Sequence, residues 1–490
     1  MGPTLAQPET KVHAEAALDP PLRPAPPGWA DLVAGRRAPV LALLVLGCWV
    51  LAADSLVTAT IMPSVGAALA GYAWFGWAAS GFLTGLVVAG ASAGWLAERI
   101  GLRSAMMLSG AGFALGCALS AIAPTIFLFL AGRVLQGCAA GWLLGLMYVA
   151  MALLFPGRLL PRVFAIMTSI WGIATFAGPL LGGLFADAGA WRGVFWLFAG
   201  QALAFTAASF ALIPAGAARD ARGTLPLRPL LLLAIGIAAV ATAGVVEGLA
   251  LPALIAAAGI GLIAAALAAD RARPGGLLPR RAADPAFPLG AAWLTYFCTT
   301  AAGTAFALYA PALLQHRAGL SALEAGYVVA AEAVAWTAAS LSVAGAGAAW
   351  RARLIVIGPA AILAGLAGIT LLTPGAGIAA IAAAGALHGA GFGLSYSFIS
   401  QRVIGAFGEA ARARGSAAIG AVRNAGGALG AALAGIAANA AGFGEGLSDA
   451  NLAAVAWGAF GSGIPFAVVG LISAVRLARN PPPQGEGDHA

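Results

Sequence analysis

Five polar side chains interrupt long apolar stretches of this chain: Asp54, Arg133, Gln136, Glu332 and His388. Asp54, Glu332 and His388 each lie ~9 residues or more from the polar ends of their stretches, which is ~14 Å along a helix rising ~1.5 Å per residue. An ionised group so deep in apolar surroundings is costly, so it must pair, face an interior or carry a proton. A carboxylate suits proton exchange, and a guanidinium that approaches it in one conformation and leaves it in another changes its hold on that proton. The embedded carboxylates therefore suit proton exchange. A packing histidine is the competing reading for His388, a structural acid for Asp54 and Glu332, and a purely structural hydrogen-bonding role for Arg133.

Other chemistries lack their residues. Of 26 basic residues only Lys11 is lysine, and no phosphate-binding loop surrounds it, so no ATP site is expected in this chain. The four cysteines, Cys48, Cys117, Cys138 and Cys298, sit in apolar runs without zinc-ligand spacing and read as packing residues. There is no H-E-x-x-H and no clustering of histidine with carboxylates, so no metal, no cofactor and no enzyme is expected.

The elements that must position these groups follow from composition. Hydrophobic residues make up 61% and charged residues 9% of 490 positions, against the ~25% charge of ordinary soluble domains. The fold class expected is an all-α polytopic membrane protein. Apolar segments fall near 40–61, 73–95, 104–123, 127–150, 162–185, 193–213, 228–249, 252–269, 289–313, 323–345, 353–373, 377–399, 416–438 and 453–475, fourteen in all, each close to the ~20 residues that cross a bilayer. Residues 1–38 hold seven prolines and read as a disordered cytoplasmic tail, and 476–490 reads as a second cytoplasmic tail. Placing both termini in the cytoplasm puts 22 lysines and arginines inside and two, Arg192 and Arg317, outside, the bias that bilayer insertion favours. The net charge of +8 is thus a topology signal, and nucleic acid is not an expected partner. Tyr72, Trp74, Phe75 and Trp77 read as an interfacial aromatic belt.

Two linkers flank the seventh and eighth segments and isolate six on each side: 39–213, an inserted pair within 214–288, and 289–475. The sixes look related. Leu135 to Gly141 aligns with Leu387 to Gly393, and Gly172 to Gly182 with Gly420 to Gly430, at offsets of 252 and 248. Parallel repeats of this kind place a substrate site between the halves near the membrane midplane.

The loop Gly94-Trp95-Leu96-Ala97-Glu98-Arg99-Ile100-Gly101-Leu102-Arg103 closely resembles the second-to-third-span loop of the major facilitator superfamily, with Glu98 where that family usually has Asp. Arg133-Val134-Leu135-Gln136-Gly137 resembles its fourth-span R-x-x-Q-G motif. The fifth-span segment ending Gly178-Pro179-Leu180-Leu181-Gly182-Gly183 resembles the antiporter motif of its drug exporters, and the first-span segment around Asp54 resembles that of drug:proton antiporters. The chain from about 40 to 475 is similar to the fourteen-span branch of that family.

The resemblance implies a major facilitator fold of two six-helix bundles plus two inserted helices. It implies that Gly94, Glu98, Arg99, Gly101, Arg103, Gly178, Pro179, Gly182 and Gly183 shape conformational change. In the first motif Glu98 and Arg103 are expected to pair with each other, with helix ends or with a helix of the other half. The expected function is proton-coupled export of a small molecule or drug by one chain acting as a monomer in a bacterial inner membrane, with substrate, protons and lipid as partners. Proton-coupled metabolite uptake is the second reading, and a non-transporting receptor of the same fold a third.

Overall fold

A run of fourteen apolar segments leaves the backbone no partner in lipid but itself, so helices must form. The computed structural model describes residues 30–215, 226–248, 250–273, 284, 286–405 and 412–479, so most of each expected tail, residues 1–29 and 480–490, and parts of both linkers lie outside these. Among the described residues there is no strand. The helices are α1 (Arg37–Ala68), α2 (Phe75–Gly90), α3 (Ala93–Ile100), α4 (Leu102–Ile122), α5 (Ile126–Leu154), α6 (Leu160–Asp187), α7 (Trp191–Leu212), α8 (Leu227–Ala243), α9 (Ala250–Arg271), α10 (Pro288–Ala318), α11 (Ala322–Ser342), α12 (Ala348–Leu372), α13 (Ile378–Gly405), α14 (Arg412–Ala440), α15 (Leu452–Gly461) and α16 (Ile464–Arg479).

Helix occupies every apolar segment, and 12 of these stretches are long and apolar enough to cross a membrane. The two that fall short are α8, with 17 residues, and α11, whose Glu324 and Glu332 dilute its apolar character. α15 and α16 form one such stretch, interrupted at Ser462 and Gly463. Helical structure is present before position 39, within the expected tail. Leu32, in a short 3-10 turn, is 1% exposed, and Arg37 Nη1 donates to the Asp31 carbonyl at 3.0 Å, so this part of the expected tail is anchored by an apolar side chain.

Small residues decide how closely the helices approach. A Cβ on Gly137 or Gly141 of α5 would strike the carbonyls of Phe82 and Leu86 on α2, at 2.1 and 2.3 Å. A Cβ on Gly389 or Gly393 of α13 would strike those of Glu332 and Trp336 on α11, at 2.0 and 2.2 Å. The fourth span of each half thus packs its glycines onto the second, at the repeat offset of the sequence. Likewise Gly178 and Gly182 of α6 lie on Leu56 and Val57 of α1, while Gly426 and Gly430 of α14 lie on Phe297 and Ala301 of α10.

The inserted α8 and α9 meet through Gly236 and Gly259. Val240 and Ala241 of α8 then pack with Trp77 of α2 and Ala432, Leu429, Leu433 and Ile436 of α14. The pair therefore covers the seam where the N-terminal half (α1–α7) meets the C-terminal half (α10–α16).

The two halves touch at the end of the bundle remote from the start of α1, here the far end. Gly76 of α2 lies against Ala431 and Gly435 of α14, and Gly183 of α6 against Leu323 of α11. Phe75, Tyr309 and Phe443 fill the gap between them, with ring centroids 5.0–6.1 Å apart, and Tyr72 stacks on Phe75 at 5.4 Å. The belt expected of Tyr72 and Phe75 is therefore corrected: the short turn at Tyr72–Trp74 points both rings inward. Trp74 instead meets Phe127, and Trp77 meets the inserted pair. Toward the near end the same helix faces separate. On α6, Thr168 and Trp171 continue the face of Gly178 and Gly182 but are exposed, and on α14 Gly420 continues the face of Gly427 with nothing within 4 Å of a Cβ. Among the described residues the contacts between the halves therefore gather at the far end, and the near-end faces of α6 and α14 are uncovered.

Candidate functional site

In the N-terminal half, α1 and α5 bring three expected residues together. Arg133 Nη1 donates to Asp54 Oδ2 at 3.0 Å and to Gln136 Oε1 at 3.0 Å. Gln136 Nε2 lies 3.4 Å from Asp54 Oδ1 and donates to Cys117 Sγ at 2.9 Å. Asp54, Arg133 and Gln136 are 1%, 3% and 0% exposed. The guanidinium stands 4.4 Å from the centre of the Phe82 ring, and its Nε has no partner. Each ion balances the other inside apolar packing, where either alone would be strongly unfavourable. Asp54 is enclosed in this conformation by the Arg133 and Gln136 side chains of α5. Cys117 and Ser120 join this network through Gln136, beyond the packing role read from sequence.

The C-terminal half has its own pair. His388 Nδ1 lies 3.0 Å from Glu332 Oε1, the histidine buried and the carboxylate side chain 15% exposed. His388 Nε2 is buried without a partner. Beyond them runs a ladder of rings. His388 meets Phe392 edge-on at 5.1 Å, Phe392 stacks on Trp336 at 4.9 Å, and both rings meet Tyr396. Arg423 stands over this ladder, 5.6 Å from Trp336 and 5.1 Å from Tyr396, with no carboxylate partner among the described residues. Tyr396 is held by Thr299 and Thr300 at 2.9 and 2.8 Å. Sequence reasoning missed these rings. Their signal was helical spacing, since Trp336 is four residues after Glu332, and Phe392 and Tyr396 are four and eight after His388.

The structure does not join Asp54 to Glu332; each is paired within its own half. Nor does it pair Glu98 with Arg103. Glu98 and Arg99 are exposed on α3, while Arg103 turns onto the Phe210 ring at 3.9 Å. Among the described residues, no ion pair or hydrogen bond joins Glu98 to the opposite half. Gly101, at φ +81°, makes the corner between α3 and α4 that another residue would strain. Gly94 has open space around it. In the fifth-span motif the roles divide: Gly178 and Gly182 pack on α1 within the half, whereas Pro179 faces Gly326 and Gly183 faces Leu323, both on α11 of the other half.

The letters Gly90-Ala91-Ser92-Ala93-Gly94 spell a G-x-S-x-G pattern, but Ser92 sits at the α2–α3 corner, accepts from Trp142 Nε1 at 2.8 Å and donates to the Ala89 carbonyl. It has no histidine beside it among the described residues and serves as a structural hydroxyl.

Comparison with known proteins places these features in company. The family model of the Major Facilitator Superfamily matches residues 44–269. A protein of Mycobacterium tuberculosis named "Probable multidrug-efflux transporter" is 29% identical over 407 residues, 80% of this chain and 85% of its own. The "Tetracenomycin C resistance and export protein" of Streptomyces glaucescens is 29% identical over 204 residues, 41% of this chain and 37% of its own. Among solved structures, a D-xylose-proton symporter superposes with a TM-score of 0.64 at 15% identity, covering 91% of this chain and 99% of that one. A bacterial homologue of the human lysosomal transporter Spinster, inward-facing and unoccupied, superposes with a TM-score of 0.62 at 14% identity, covering 91% and 97%.

Proposed function

The chain belongs to the major facilitator superfamily, and we propose that within it this transporter exports a small molecule or drug in exchange for protons. The relatives named for multidrug efflux and for tetracenomycin C export support the direction, as does the likeness of Gly178 to Gly183 to the drug-exporter motif. We read fourteen spans, with bundles over 39–213 and 289–475 and the inserted pair between them; helix in each apolar segment supports this, and 12 of the stretches are long and apolar enough to cross a membrane. The arginine distribution supports a near end facing the cytoplasm of a bacterium, with both termini on that side. Both halves belong to a single chain, so a monomer suffices in this reading.

The observation that carries proton coupling is the enclosed Asp54–Arg133–Gln136 cluster. A proton arriving on Asp54 cancels its charge and ends the ion pair, leaving Arg133 to repack inside the half. α1 links this event to the seam between the halves, because Thr60, further along it, lies against Gly326 of α11. Glu332, His388 and the rings beside them form the wall where substrate is recognised, and Glu332 supplies a second exchangeable proton site at that wall.

The test uses everted membrane vesicles containing the chain, acidified inside, and a panel of cationic, neutral and anionic aromatic dyes. Antiport predicts that an accepted dye accumulates in the lumen and dissipates the pH gradient as it does so. Dye accumulation that leaves the gradient untouched refutes proton coupling. Dye leaving the lumen together with protons supports uptake by symport instead.

A further inference from the structure

Resting on the transporter reading, we infer that Asp187 is a positioning residue for alternating access: its carboxylate crosses from α6 to the N-terminus of α11 and holds the far end shut. The donors at that terminus can be accounted for one by one. A helix begins with N–H groups that have no partner in the helix itself. In α11, Ser321 Oγ accepts from the Glu324 N–H at 3.2 Å, and Glu324 Oε2 accepts from the Ser321 N–H at 2.9 Å, a reciprocal cap made within one half. The two donors between them are left over. Asp187 of the other half takes both: Oδ1 accepts from the Ala322 N–H at 2.9 Å and Oδ2 from the Leu323 N–H at 3.4 Å.

Asp187 has no cationic partner among the described residues, so the positive end of the helix is what balances its charge. Nearby Arg192 is directed to the Ala123 carbonyl, and Arg317 to the Ala376 carbonyl. Gly183, one turn earlier on α6, permits the approach, since a Cβ there would stand 2.4 Å from Leu323 Cα. One other hydrogen bond joins described residues of the two halves, Asn439 Nδ2 to the Ala73 carbonyl at 2.7 Å, on the opposite seam. Opening the far end must therefore break the Asp187 contact. Glu98 stands exposed at the near end, on the opposite side of the transport cycle from Asp187.

The experiment measures distances between spin labels at Ala68→Cys and Ser448→Cys, both exposed at the far end and one on each half. The four native cysteines are buried or half-buried, so labelling falls on the introduced pair. Asp187→Ala should raise the ratio of far-end-open to far-end-closed molecules about tenfold, the equivalent of one charge-assisted hydrogen bond. Ala322→Pro removes the 2.9 Å donor from the other side. Proline is at home in the first position of a helix, and Ser321, at ψ 163°, already has the backbone that a residue before proline adopts. It should give the same shift, and Asp187→Glu should retain the closed distance. The inference is overturned if Ala322→Pro keeps the wild-type distance distribution, whatever Asp187→Ala does. Should Asp187→Ala not insert, Ala322→Pro alone decides. No substrate enters the measurement, so a wild-type result would leave the export reading standing, and a failed dye assay would leave the latch standing.

Discussion

Asp54 and Arg133 have to be judged together, because each is the other's counter-ion in a space closed to water. Asp54→Ala should lower stability by about 3 kcal/mol, since it strands a buried guanidinium, and adding Arg133→Leu should restore most of that loss. Unfolding midpoints of the purified variants check both. For transport, Asp54→Asn should abolish proton-driven accumulation while leaving substrate exchange, which needs the alternating motion but no net proton flux. Glu332→Gln should do the same if it carries a proton, and should alter only the range of accepted dyes if its carboxylate serves recognition. Wild-type proton-driven transport by both variants and by the double would remove these acids from the mechanism. The identities in this cluster were legible in the sequence because charge inside an apolar stretch is conspicuous. The contact of Gln136 with Cys117, the ring ladder beside His388 and the position of Arg423 over it were not, since aromatic and thiol side chains are unremarkable in such stretches until tertiary packing joins α4 to α5 and α11 to α13 and α14.

Helices meet here through glycine, and the two kinds of glycine contact predict different failures. Gly137→Leu would drive a side chain into the Phe82 carbonyl within one half, so the protein should fail to accumulate in the membrane. Gly178→Leu strikes Leu56 within the same half and should abolish transport, with insertion retained at reduced stability. Gly183→Leu obstructs only the seam with α11. It should insert normally and stay far-end-open, which the Ala68–Ser448 label distances would report. Gly94→Ala, with nothing within 4 Å, should be neutral or stabilise α3 by about 0.5–1 kcal/mol. The length of the apolar segments made the helices readable, and the glycine strings at matching offsets made the relation of the two halves readable, whereas which helices pair was not read. The division of labour within Gly178–Gly183 was hidden, because adjacent positions on one helix face different partners and only the packing says which.

Across the whole molecule the arginine bias predicts that Ala68→Cys and Ser448→Cys react with impermeant thiol reagents from outside the cell, and that Arg158→Cys does not. The reverse pattern would invert the topology. The direction of opening had no signal in the sequence, as both states use the same helices. It shows only in which ends of α6 and α14 are covered. The rings that close the far end also give the cycle a thermal character. Phe75, Tyr309 and Phe443 are essentially dry in this state, and opening hands them to water. Apolar association weakens on cooling and its hydration carries a large heat capacity. A chilled transporter should therefore drift toward the outward-open form, and its turnover should trace a curved rather than a straight line against reciprocal temperature.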